Sequence, residues 1–257
     1  MPHRTQQKRR EANMIAAKRD VSSEARGADG RWATSASSGH PSGSPISESF
    51  TVEGKGPAAE AVKEAVAAIG RVHRVGDAKK IPIIVGGLRS GQAVGMYTHS
   101  VEGEPLKINI QGGDDPFLHQ QMTTVHEIGH YLEGAYFSSG EKQAGVMAAI
   151  EGTARVAAMR EIGKKGHVVV AYPSGRRVKE PMPKKYTAYR LLPEELFAEA
   201  YTHYITFRSK SAGMAEEYRK QALMQGITRF PSVWSEAEFE PVAKAFDDLF
   251  QKAGWKI

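Results

Sequence analysis

Apolar positions recur at helical spacing from Ala58 to Val72, where Val62, Val66, Ala67 and Ile69 mark one face of an amphipathic helix. The periodicity then shortens. Ile81-Pro82-Ile83-Ile84-Val85 is a β-branched run stopped by Gly86-Gly87, the pattern of a strand. Val94 to Thr98 and Leu106 to Ile110 are two further strands. In the second, Leu106, Ile108 and Ile110 alternate with Lys107 and Asn109, which predicts a half-buried strand with its aliphatic side inward. Gly112-Gly113-Asp114-Asp115-Pro116 interrupts the chain before a long helix from Phe117 to Leu132. Three more helices are expected over Lys142 to Ile162, Pro193 to Phe207 and Glu236 to Ala253, with Pro193 in a first turn where its missing N–H costs nothing. Between the first two, Val168-Val169-Val170 and the turn Pro173-Ser174-Gly175 predict a hairpin. This order reads as an α+β fold, a small sheet packed against helices, over residues 51–257.

Residues 1–50 differ in kind. After a short helix-capable stretch, Glu11 to Lys18, the chain runs through Ser, Gly and Pro with little to bury, the composition of a flexible tail. Much of the formal net charge of +6 is placed there, in Arg4, Lys8, Arg9, Arg10, Lys18 and Arg19. No RNA- or DNA-binding motif accompanies this basic segment, so nucleic acid is not the expected partner. No apolar run is long enough to span a bilayer, and no apolar stretch follows the basic N-terminus as in a secretory signal. These features leave a cytoplasmic, phage-associated or non-classically exported location open, with no membrane partner. Cysteine is absent, so a bound metal must be held by His, Asp or Glu.

The candidate chemistry lies in Val125-His126-Glu127-Ile128-Gly129-His130-Tyr131-Leu132. Imidazoles at i and i+4 share a helix face and can reach one ion, and Glu127 projects beside them as a candidate general base. Gly129 costs about 1 kcal/mol of helix propensity, which points to a close backbone approach. His119 falls seven residues before His126, on the same face, as a groove-lining or surface histidine. A zinc site needs a third protein ligand, with its fourth position left to water. Two candidates follow: Glu151, and the pair Glu195 and Glu199, four apart on a predicted helix with His203 continuing the stripe. Like charges at that spacing repel unless a cation lies near, as in a site where one carboxylate binds metal and the other orients a ligand imidazole.

His126-Glu127-Ile128-Gly129-His130 followed by Glu195-Leu196-Phe197-Ala198-Glu199-Ala200-Tyr201 resembles the catalytic domain of the anthrax lethal factor family of zinc peptidases, which includes the Pro-Pro endopeptidases. The resemblance covers roughly residues 55 to 255. It implies a zincin-like fold, a zinc cofactor held by His126, His130 and Glu195, Glu127 as general base and Glu199 in support. Glu151 remains the alternative ligand, since its spacing resembles that of the ligand glutamate in thermolysin-like enzymes. The family also implies a tyrosine that stabilises the oxyanion; Tyr189 fills this place, one residue closer to Glu195 than the family pattern. An endopeptidase acting on an extended protein or peptide segment is expected, with the substrate pairing along Leu106 to Gln111. The alternative is a non-catalytic, phage-associated structural or interaction protein that keeps a zinc site. It is suggested by Ala25 to Ala33, which resembles a short motif of phage head-associated proteins.

Overall fold

The computed structural model describes residues 44–75, 78–88, 93–113, 119–138, 140–172 and 174–255. The tail through residue 43 with its Ala25 to Ala33 segment, the predicted helix start at Phe117, and Pro173 lie outside these. A 3₁₀ turn, Ile46–Ser49, leads into β1 (Phe50–Glu53), α1 (Pro57–Val72) and β2 (Ile81–Val85). Then come β3 (Gly95–His99), β4 (Pro105–Ile110) and α2 (Gln120–Leu132), the last prolonged by a π-helical turn, Glu133–Phe137. The rest comprises α3 (Gly140–Glu151), α4 (Ala154–Lys165), the hairpin β5 (His167–Ala171) and β6 (Arg177–Pro181), α5 (Lys184–Arg190), α6 (Pro193–Arg208), α7 (Ala212–Thr228) and α8 (Glu236–Lys252).

The fold is α+β. Its main sheet has the order β1-β2-β4-β3, with β1, β2 and β4 parallel and β3 antiparallel to β4. Ile81, Ile83, Ile108 and Ile110 are buried against the helices. Helix α2 is the hub: it packs on α1, on β3 and β4, and on α6. Its burial explains why Val125, Ile128 and Leu132 have no exposed surface. A Cβ on Gly129 would lie 3.0 Å from the Ala198 Cα of α6, so the glycine lets the two helices touch backbone to backbone. That approach sets α6 beside the histidines. No local side chain caps α2. Instead Glu217 of α7 accepts from the backbone N–H groups of Gln121 (3.1 Å) and Met122 (2.9 Å), at the end of the helix where a negative charge is favoured.

Ile46 belongs to the core and Ser49 donates to the Ala78 carbonyl, so packing extends to residues before Phe50. Three sequence expectations change. In β4, Leu106 is exposed and Asn109 is buried, so the expected alternation does not hold along the whole strand. The helix expected over Lys142 to Ile162 is two helices, α3 and α4, separated at Gly152-Thr153, where Thr153 caps α4 through the Val156 N–H. Finally, β4 pairs with β2 and β3 on its two sides, so it has no edge for a substrate strand; the outer edge belongs to β3.

Candidate metal centre

His126 and His130 stand one turn apart on α2, and Glu195 reaches them from the first turns of α6. The His126 and His130 Nε2 atoms are 3.1 Å apart. Glu195 turns one carboxylate oxygen to each, Oε2 at 3.3 Å from His126 and Oε1 at 3.4 Å from His130. Four ligands at zinc distances of about 2.0–2.1 Å in a tetrahedron stand about 3.3 Å from one another, so the three donors already have the spacing of such a shell. Two imidazole nitrogens aimed at each other at 3.1 Å also need a proton or a cation between them. The donors fit a divalent ion, and the fit does not depend on any thiolate. Among the described residues this is the one group of three or more His, Asp or Glu side chains close enough to hold an ion.

Glu195 is almost fully buried. Burial alone would raise its pKa, but hydrogen bonds and charge from His126 and His130 outweigh it and hold the carboxyl well below the usual range. The Tyr189 hydroxyl, carried on α5, donates to Glu195 Oε1. Glu127 points the other way, to β3. Its Oε2 accepts the Tyr97 backbone N–H at 2.7 Å. A Cβ on Gly95 would stand 2.7 Å from Glu127 Oε1, so a bare backbone is required where β3 crosses the carboxylate. Pairing with β4 fixes this orientation. The Gln111 N–H donates to the Val94 carbonyl, so by antiparallel alternation Met96 and Thr98 also face β4, and Gly95 and Tyr97 turn their backbone groups outward over Glu127.

The other predicted residues fall elsewhere. Glu151 ends α3, half-exposed, and pairs with Arg160 at 3.2 Å; it is not in the donor group that His126, His130 and Glu195 form. Glu199 is buried, four residues after Glu195 on α6, and its carboxylate is paired with arginines. Arg155 of α4 (2.5 Å) and Arg190 of α5 hold it from two sides. Arg155 is itself buried, and burial followed by repulsion from Arg190 disfavours its charge, which Glu238 and Tyr186 partly offset; the Trp234 ring lies 3.8 Å from the guanidinium. His203 donates from Nδ1 to the Glu199 carbonyl, in a wholly buried aromatic setting apart from the donor group. His119 precedes α2 and is likewise not in that group.

Gly95, Arg155 and Arg190 were not singled out from the sequence. A lone glycine at a strand start and scattered arginines carry no local signal; only the tertiary fold brings them to the site. No helix of the described residues is long and apolar enough to cross a membrane. No family model, no curated protein and no solved structure matches the chain.

Proposed function

We propose that the chain is a zinc-dependent endopeptidase of the HExxH class with a zincin-like fold, resembling the lethal factor and Pro-Pro endopeptidase family. The observation that carries this reading is the convergence of His126, His130 and Glu195 with Glu127 one residue from the first ligand and beneath a sheet edge. A zinc ion held by these three residues would polarise a carbonyl and acidify water. Glu127 serves as the base that accepts a proton from water and hands it to the leaving amine. Tyr189, whose hydroxyl already points into the ligand group, donates to the oxygen that gains charge.

The substrate binds as an extended strand along the outer edge of β3, where the Gly95 and Tyr97 backbone groups face the cleft. Pairing there would lay the substrate beside Glu127, which accepts from the Tyr97 N–H and would release it to the incoming strand. Glu127→Gln tests the assignment of the base. It keeps the volume and the fold, and removing a general base lowers kcat by roughly 10²–10⁴. The expected result is zinc retained and cleavage of an unstructured protein such as casein lost. Cleavage at the wild-type rate with zinc still bound would contradict the mechanism, and absence of cleavage by the zinc-loaded wild type against broad peptide pools would contradict the activity.

A further inference from the structure

The hairpin beside the candidate centre concentrates the charge of the whole chain. Residues 164–185 contain seven cations, Lys164, Lys165, Arg176, Arg177, Lys179, Lys184 and Lys185, against the single carboxylate Glu180. Their surplus of six equals the formal charge of the entire protein. The sequence on either side has the opposite sign: residues 44–163 and 186–257 together carry 20 Lys and Arg against 24 Asp and Glu. All seven cations are exposed. Among the described residues only Lys164 has an ion-pair partner, Glu161 at 2.8 Å. The other six share one hairpin and its base with a single carboxylate, Glu180, so their mutual repulsion is largely uncompensated.

The hairpin's place in the fold makes this more than a solvated face. The Met182 N–H donates to the Gly166 carbonyl at 2.9 Å, which closes the base of the hairpin and brings Lys164-Lys165 at the end of α4 beside Lys184-Lys185 at the start of α5. Helix α5 then runs directly to the centre: Tyr189 touches Glu195 and Arg190 touches Glu199. Lys185 lies four residues before Tyr189 and so shares its helix face. The basic surface is therefore continuous with the rim of the cleft.

We infer that the β5–β6 hairpin and the start of α5 form an exosite that recruits substrates through an acidic segment flanking the cleaved bond. This rests on the peptidase reading and names its substrate class. An acidic peptide fits better than nucleic acid, because the surface adjoins a proposed peptidase centre and, among the described residues, presents one exposed aromatic ring, Tyr172, where strand-binding grooves use several stacking platforms.

The test uses the zinc-supplemented full chain and quenched fluorescent peptide pools with a random centre, flanked on either side by a glutamate block or by a serine block. Electrostatic capture raises encounter rates by roughly tenfold or more at low salt, so the glutamate pools are expected to show a kcat/KM about tenfold above the serine pools. High salt and the triple substitution Lys179→Gln, Lys184→Gln, Lys185→Gln should both close that gap, whereas Lys63→Gln with Lys244→Gln, on distant exposed surfaces, should keep it. Equal cleavage of the two pools, or a gap that survives the triple substitution, overturns the exosite. If no pool is cleaved, the peptidase reading fails by itself. Fluorescence anisotropy of the glutamate-block peptide on chelator-treated protein then decides the surface separately: binding lost in the triple variant supports it, and no binding overturns it. Tighter binding of a single-stranded oligonucleotide of matched charge would assign the surface to nucleic acid instead.

Discussion

The Tyr189 hydroxyl donates to Glu195, a proposed ligand, while its proposed task is to donate to the substrate oxygen. Tyr189→Phe separates orientation of the ligand from stabilisation of charge. Loss of an oxyanion donor lowers kcat by roughly 10²–10³, so the expected variant keeps its zinc and loses turnover by about that factor. Zinc loss with turnover per bound zinc unchanged would make Tyr189 a positioning residue only. A second residue governs behaviour in acid. His73 is fully buried among Tyr201, Tyr204, Phe250 and Trp255, with neither ring nitrogen hydrogen-bonded, and burial pushes its pKa from 6.5 to about 3. Above pH 6.5 the imidazole is neutral in the folded and the unfolded chain alike. Below it the unfolded chain takes up a proton that the folded chain refuses until about pH 3. Stability from this residue thus falls with falling pH across that window, by about 1.4 kcal/mol per unit. Urea midpoints at neutral and mildly acid pH should drop less in His73→Leu than in the wild type; equal drops would contradict the assignment. Of these residues, the histidines of the centre were legible in the sequence because i,i+4 spacing on a helix is fixed locally. Tyr189 was legible only by resemblance, and His73 not at all, because its aromatic cage is assembled from distant parts of the chain.

Helices α4, α5 and α6 meet at Glu199, whose carboxylate takes Arg155 from one and Arg190 from another. Removing one partner of a buried ion pair costs about 3–5 kcal/mol, because the other charge stays buried alone. Glu199→Leu should therefore lower unfolding stability by about that much, and Glu151→Leu, which breaks only the exposed pair with Arg160, by no more than about 1 kcal/mol. Similar small losses in urea unfolding would show that the two arginines find other partners. The elements with strong periodicity, α1, α6 and α8, were readable from the sequence, as were β2 and the β5–β6 hairpin. Helix α7 was not. Met214 is its one buried residue, while Leu223 and Met224 lie on its surface, so no apolar stripe marked it. The join between α3 and α4 was read as continuous helix because Thr153, a capping residue, sits among good helix formers. Strand β4 was read with close to its observed span but as a substrate edge, because alternation along one strand says nothing of which strands lie beside it, and β4 has neighbours on both sides.

For the molecule as a whole, the centre is a product of chain topology. Two of the candidate donors come from α2 and the third from α6, and the contact of Gly129 with Ala198 closes the space between them. The sequence supplied the donors but not their meeting, which is why Glu151 and Glu195 stand as alternatives in the sequence, while the fold sets Glu151 at the end of α3. The uneven charge, basic at the hairpin and acidic on either side of it, was likewise hidden in a total that had been assigned to the tail. The central claim is that His126, His130 and Glu195 together hold one zinc ion. Elemental mass spectrometry of the purified full chain, measured for the wild type, Glu195→Ala and Glu151→Ala, tests it most directly. The expected result is about one zinc per chain in the wild type and in Glu151→Ala, and little in Glu195→Ala. Zinc absent from the wild type even after the metal is supplied, or retained undiminished by Glu195→Ala, would contradict it.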